Sequence, residues 1–580
     1  MKLLSHDRTF VGDEFIAQLN VLVFFAAIQY IGVFCDSVIS GQLLGEAALA
    51  GIMLVNSLIA FGSFISILPV AGSVVLVNVI SGLADNDRVE KAYSQGLIMT
   101  VVMGGALSII YVYLRGHLTM FISGSGEPLF YANQYFHFIS VLPIFQAISA
   151  FLYAHIINQG ENHLCAIGAV VQMVSNIILS YILCNIYGIM GVAIGTIVSM
   201  LIFIIILAKY FFKEHRILRF QWYFQWKSVF KIMKYSLCDA MVYLNLAIME
   251  YFLTNFMANN FGTDAISILA IVVSLLGFFL AVLSGPGVSA EAFLLIYRTE
   301  NNQHGILKTM RLAIKAAIAI GIFLTVLVFA FAPQLVAFFG ISQSYLAPMA
   351  IYAVRVISLI PTFAALIVLY CSYLNYSNML LLSGTFMFVT LDVILLPASL
   401  LGGIGWGLKG IWNGFALSFL LSLAIGAGIV YLCTSRFKFP IVLDEKEFNK
   451  EISYDLPFST QGIGQALDLL ERDLKARKID DRALYKTLLL FEETEALALK
   501  RTDSADAIME INVKIEPDKI ILILRDSGIY SDVTDVDGRI SSFECYAAYQ
   551  LIGATTHKKF FLTSGYNRTI YHIPRNTQPA

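Results

Sequence analysis

Four carboxylates lie inside or at the edge of long apolar runs: Asp36, Asp239, Glu250 and Asp392. In a bilayer such a group costs about 2.5 kcal/mol or more unless it faces a cavity or a partner. Two chemistries suit that placement. The acids can brace neighbouring helices through hydrogen bonds, or they can bind H⁺ or Na⁺. A carboxyl withdrawn from water holds a proton more readily, so it can trade that proton for a solute in the same cavity. The solute would be a small organic molecule, a cation or an amphiphile. Phe24, Phe25, Tyr30 and Tyr243 could meet a cation through their rings, or serve only packing. Asp36 shares a helical face with Gln29, seven residues earlier. No catalytic constellation accompanies these acids. The seven cysteines are dispersed without a CxxC or any metal-ligand spacing, which fits small buried side chains.

The elements that position these acids are membrane spans. Of 580 residues, 58% are hydrophobic and 13% charged, with a mean hydropathy of +0.75; soluble domains carry about 25% charged residues. A net charge of −2 gives no reason to expect a nucleic-acid partner. Apolar windows near 15–38, 47–72, 92–114, 131–154, 163–185, 188–212, 235–258, 265–294, 309–335, 347–373, 379–401 and 408–434 are each long enough to span. Twelve helices are therefore expected. Asp7, Asp13 and Glu14 precede the first run, which reads as a retained span and not a leader. Basic residues Lys209, Lys213, Arg216, Arg219, Lys227, Lys231, Lys234, Arg298, Lys308, Arg311, Arg436 and Lys438 fall on one side, against little beyond Arg115 and Lys409 on the other. Lys and Arg favour the cytoplasm, so both termini are expected there, with the body in the plasma membrane.

The body also repeats itself at an offset of about 217–219 residues. Ile139-Ser-Val-Leu-Pro143 recurs as Ile357-Ser-Leu-Ile-Pro361. Gly188, Gly191, Gly195 and Ser199 recur as Gly407, Gly410, Gly414 and Ser418, and Gly45 with Ala48 as Gly262 with Ala265. Six spans separate the copies, so the halves share one topology, a device by which carriers place substrate between two rocking units. Under this offset Glu250 falls within about a turn of the counterpart of Asp36, and Asp392 almost opposite Asn176.

At Asp36 the residues meet a known family. Asp36-Ser-Val-Ile-Ser-Gly41-Gln-Leu-Leu-Gly45-Glu-Ala-Ala-Leu-Ala50 resembles the first-helix signature of multidrug and toxin extrusion (MATE) transporters. Gly188 to Ser199 resembles the sixth-helix Gly-x-x-Gly-x-Ala-x-x-Thr pattern, with Thr196 as the Thr. The likeness covers residues 10–435. It implies two six-helix bundles, 10–220 and 221–435, around a central cavity, with export of organic cations or drugs driven by inward H⁺ or Na⁺. By this resemblance Asp36, Asn176 and Thr196 match the cation site of the first bundle. The second acid expected four residues after the Asn is here Ser180. Glu250 resembles an acid some members carry in helix seven, and the acid they add in helix ten is absent.

From about 445 to 575 the pattern becomes that of a cytoplasmic α/β sandwich domain. Strands are expected at 451–456, 508–516, 519–526 and near 569–573, and helices at 461–478 and 481–500. This stretch resembles the histidine-kinase-like ATPase domain, nearest to anti-sigma-factor kinases. The resemblance implies nucleotide-binding roles for Glu493 (or Glu492) and for Asp526-Ser-Gly528. However, Leu497 replaces the Mg²⁺-holding Asn, and Phe543 to Gln550 lacks the glycines of the phosphate lid. The domain is then expected to sense, to bind ATP without turning it over, or to dock a cytoplasmic regulatory protein. Two other readings compete with a cation-coupled exporter. A lipid-linked saccharide flippase would want a basic cluster within the spans, and a sensor kinase a phosphoacceptor His between Arg436 and Ser459; the sequence supplies neither.

Overall fold

The computed structural model describes residues 10–81, 86–434, 451–499, 507–526, 556–561 and 567–575, with short breaks at 121, 123, 158–160, 213–217, 263–264, 301, 342–345 and 377–378. The chain opens with α1 (Phe10–Leu44), α2 (Glu46–Ser81), α3 (Asn86–Leu114), α4 (Gly126–Ile139), α5 (Leu142–Ile157), α6 (Asn162–Tyr187) and α7 (Ile189–Ala208). It continues through α8 (Trp226–Phe261), α9 (Ile266–Leu283), α10 (Gly285–Thr299), α11 (Gln303–Ala330), α12 (Ala332–Phe338), α13 (Ala347–Ile357) and α14 (Pro361–Tyr376). Then come α15 (Leu380–Phe388), a π-helical stretch Val389–Leu395 and α16 (Leu396–Thr434).

By length and composition, seven of the described helices can cross a bilayer, or up to ten if each of three bent pairs counts as one span. Apolar side chains such as Val102, Ile109, Ile186, Ile205 and Val326 point outward. That arrangement suits lipid, which solvates them as well as a protein core would. One stretch, Leu381–Ile429, runs 49 residues, more than twice what the hydrocarbon requires at 1.5 Å per residue. It is broken at Trp406 and Gly407, which leave helical geometry. There the chain doubles back, so that a Cβ at Gly414 would lie 2.6 Å from the Ala398 carbonyl carbon.

All three sequence repeats fall on matching backbone features. Gly188 (φ +61) and Gly407 (φ +65) make the turns of two helical hairpins. Gly195 packs on Ser180 in the first hairpin as Gly414 packs on Ala398 in the second. Gly45 and Gly262, with φ of +89 and +87, each end a long helix. The Ile139–Pro143 and Ile357–Pro361 motifs lie where α4 bends into α5 by 52° and α13 into α14 by 46°. Proline at the head of the second helix in each pair blocks continuation of the first.

The positive-φ glycines are conformational requirements. Gly407→Ala should destabilise the protein by about 1–3 kcal/mol, since this backbone region is nearly closed to a residue with a Cβ. Gly405→Ala, where a Cβ meets open space, is the control. Thermal unfolding of the two variants in one detergent separates strain from simple loss of glycine; equal melting temperatures would refute it.

The chain forms two compact units. One comprises Val21–Val288 with Ala316–Pro440; the other groups Met1–Asn20 and Ser289–Lys315 with Ile441–Ala580. In the second unit β1 (Glu451–Pro457), α17 (Thr460–Ala476), α18 (Asp481–Leu499), β2 (Ile508–Ile515), β3 (Lys519–Asp526), β4 (Thr556–Phe561) and β5 (Asn567–Pro574) follow in order. The strands make one antiparallel sheet, ordered β1-β2-β3-β5-β4. β4 is absent from the sequence reading. Ile463, Ala466, Leu470 and Leu474 of α17 pack with Leu484, Leu490 and Phe491 of α18 against Met509, Ile511, Val513, Leu522 and Leu524. Ser459 caps α17, accepting from the Gly462 amide at 3.1 Å. The Tyr454 hydroxyl donates to Asp473 and holds that carboxyl below the usual carboxylate range.

Candidate functional site

Asp36 is buried in the last third of α1, and three side chains from two other helices converge on it. Ser180 of α6 donates to Oδ1 at 2.8 Å, and Thr196 of α7 donates to Oδ2 at 2.7 Å. Asn176, one turn before Ser180, donates more weakly to Oδ2 at 3.4 Å and lies 3.3 Å from Thr196. The α6–α7 hairpin makes this possible. Gly195 lets the two helices touch beside Ser180, so Thr196 and Ser180 face the same carboxylate. Three donors around two oxygens is the complement an ionised carboxylate accepts. Asn176 Oδ1 is buried and has no hydrogen-bond partner among the described residues. The site therefore keeps one acceptor in reserve beside the acid. It could accept a hydrogen bond from a protonated Asp36, or join the Asp36 oxygens around a hard cation.

Glu250 and Asp392 lie in different surroundings. Glu250, buried on α8, accepts from Asn56 of α2 at 3.0 Å. Asp392 lies in the π-helical stretch. Asn245, with its amide nitrogen turned toward the acid, donates to Asp392 Oδ2 at 3.3 Å. Asp36 of the first helix meets the amide Asn176 of the fifth in one half, and in the other the amide Asn245 meets Asp392. Glu250, the acid on the first helix of the second half, bonds across to α2. Asn56 and Asn245 carry no charge to mark them within an apolar run; their signal in the sequence is the amide type itself, as it is for Asn176. The Asp239 side chain, like those of Gln29, Phe24 and Phe25, lies outside the described residues.

Two seams flank the site. Along α2 and α8, Gly72 lets the helix backbones meet, since a Cβ there would lie 2.7 Å from the Ile232 carbonyl carbon. The Asn56–Glu250 bond lies sixteen residues earlier on α2. At the Leu44 end of α1, a Cβ on Gly41 would lie 2.9 Å from the Phe339 carbonyl carbon. Gln42 Nε2 donates to the Ala337 and Phe338 carbonyls, both at 2.9 Å, and Phe34 meets Phe339 edge-on at 5.0 Å.

In the tail, Glu493 lies half-buried on α18, and Asp526 is buried at the end of β3 opposite Met509 and Asn567. Gly528 and the 543–550 stretch lie outside the described residues.

The MatE family profile matches residues 22–182 and 240–378, more than half of the chain. The chain belongs to that family, whose members are secondary transporters and not enzymes. Its body has the fold of solved MATE proteins. One, an inward-facing multidrug resistance MATE family transporter of the MOP superfamily, is similar with a TM-score of 0.62 at 16% identity, covering 69% of this chain and 92% of the other. A MATE in complex with MaL6 aligns at TM-score 0.61 and 16% identity, covering 72% and 95%. A MOP superfamily transporter from Pyrococcus furiosus, described as having a binding pocket of reversed polarity, gives 0.61, 16%, 72% and 94%. No curated protein matches by sequence. The protein is a MATE-type membrane transporter carrying a small C-terminal antiparallel sheet.

Proposed function

We propose that the protein is an H⁺- or Na⁺-coupled antiporter that exports organic cations or other xenobiotics across the plasma membrane. The observation that carries this reading is the buried Asp36 held by Ser180, Thr196 and Asn176, with the spare oxygen of Asn176 beside it. In one state the ionised acid accepts three hydrogen bonds, or holds a cation. In the other it carries a proton and donates to Asn176 Oδ1. The exchange alters the charge of the cavity by one unit, which is what a cationic substrate would sense. Ser180 in place of the family's second acid leaves one carboxylate here, so one charge moves per cycle at this site. Glu250 and Asp392 supply further buried charge in the same body.

The body is read as twelve spans in two six-helix bundles, 10–220 and 221–435. The fold-back at Trp406–Gly407 divides one long stretch in two, and α1 adds a span at the front. The basic loops favour a cytoplasmic position for both termini. The tail is read as a histidine-kinase-like domain that has lost phosphoryl transfer and regulates the carrier, through ATP binding or a partner protein.

The test is a panel of cationic compounds scored by substrate-induced thermal shift at two pH values, with and without Na⁺. A transporter of this kind gives shifts that depend on pH or on Na⁺, and the same compounds leave proteoliposomes when a gradient is imposed. Shifts indifferent to both ions, with no gradient-driven efflux, would overturn the proposal.

A further inference from the structure

The face of the tail sheet away from α17 and α18 would ordinarily meet water, yet its central side chains are buried. Asp455, Glu510, Arg525 and Arg568 are direct cross-strand neighbours on β1, β2, β3 and β5, so they form one charged row on that face. The row is engaged by residues from the end of α10 and the start of α11. Glu300 accepts from both Arg525 and Arg568. Tyr297 donates to Glu510 at 2.7 Å, and its ring lies 4.8 Å under the Arg525 guanidinium. Arg525 in turn pairs with Glu510 at 2.7 Å. Lys308 pairs with Asp455 and reaches Ser453 at 3.3 Å, and Glu451 accepts from the Gln303 amide at 3.1 Å. Arg525, Glu510 and Glu300 are nearly inaccessible to water.

The turn that enters this row is tied by hydrogen bonds of its own. Asn302 caps α11 by accepting from the Gly305 amide at 2.7 Å, and its own amide bonds back to the Tyr297 carbonyl at 2.7 Å. Gly305 lacks a side chain where a Cβ would strike the Tyr297 ring. The first turns of α1 belong to the same compact unit, with Val11, Phe15 and Leu19 buried along one face. The unit thus gathers ends of helices from both halves of the sequence repeat.

We propose that the tail domain is a built-in latch: the α10–α11 turn is its ligand, and while the charged row holds that turn, the helices running from it cannot shift. Salt screens buried pairs of this kind only slightly, and removal of one partner is strongly destabilising. The turn therefore moves only when the row lets go as a unit, and transport speeds up on release. This last step rests on the transporter reading above.

The experiment is hydrogen–deuterium exchange on the full chain in lipid nanodiscs, paired with efflux from proteoliposomes. Glu300→Ala alters the turn and leaves the sheet's own residues intact. It should raise exchange across 297–308 by tenfold or more, leave 463–474 unchanged, and speed efflux at least threefold. Lys308→Glu should do the same, and adding Asp455→Lys should restore slow exchange. Unchanged exchange at 297–308 in both single variants overturns the latch, as does a freed turn with unaltered efflux. If the wild-type protein shows no gradient-driven efflux, the transporter reading falls, while failure of Asp455→Lys to rescue Lys308→Glu still overturns the latch.

Discussion

Asp36→Asn abolishes gradient-driven export while the protein still folds. Asparagine keeps the shape of the side chain, and its carbonyl oxygen can still accept from Ser180 or Thr196. What it loses is the ability to change charge. Coupling through this site should fall by at least about a hundredfold, in line with removal of a group needed for proton exchange. Thr196→Val should cost less, because Ser180 and Asn176 still face the acid. Glu250→Gln, which keeps an acceptor for Asn56, should leave export within about tenfold of normal. The check is efflux of an identified substrate under an imposed gradient, beside thermal unfolding of each variant. Gradient-dependent efflux at near wild-type rate in the Asp36→Asn protein would remove this site from the mechanism.

The second large effect falls on the two helical hairpins. Gly195→Val and Gly414→Val should each destabilise the body by more than about 3 kcal/mol. Overpacking a deformable core costs about 1–3 kcal/mol, and here the obstruction includes backbone. A Cβ at 195 would lie 2.7 Å from the Ser180 amide nitrogen, and one at 414 would lie 2.6 Å from the Ala398 carbonyl carbon. The milder Gly195→Ala and Gly414→Ala pair divides structure from site. Both should lower the melting temperature, but only Gly195→Ala pushes Ser180 away from Asp36. Its efflux should therefore fall further than its stability explains. Equal melting temperatures for the valine variants and the parent would show that the hairpins can open freely.

Much of this was legible in the chain, and the rest failed for identifiable reasons. An acid in an apolar run announces itself, so Asp36 stood out without help. Of its partners, 140 to 160 residues away, Asn176 is marked by the repeat, opposite Asp392, whereas Ser180 and Thr196 come only through family resemblance, because nothing in local spacing links α1 to the α6–α7 hairpin. The repeat revealed which glycines and prolines mattered; it could not reveal that Pro143 and Pro361 sit at bends. In the tail, alternation located the strands of Ile508–Ile515 and Lys519–Asp526 to within a residue. On the polar face of these strands the α10–α11 turn covers Glu510 and Arg525. A strand's pattern distinguishes its faces but does not say what lies on the polar one. Thr556–Phe561 escaped because Thr-His-Lys-Lys-Phe-Phe has no alternation. It is one of the two edge strands of the sheet.

The two glycine contacts beside the site differ in a way that bears on motion. Gly72 on Ile232 and Asn56 with Glu250 fasten α2 to α8 at two points, sixteen residues apart on α2 and eighteen on α8, and α8 bends by 61° between them. Two fastenings on either side of an elbow make a bracket, which resists both sliding and rotation of one helix on the other. Gly41 meets Phe339 in a separate seam, with the Gln42 amide hooked over two carbonyls. That fastening is a single clasp, so fewer bonds stand between it and release.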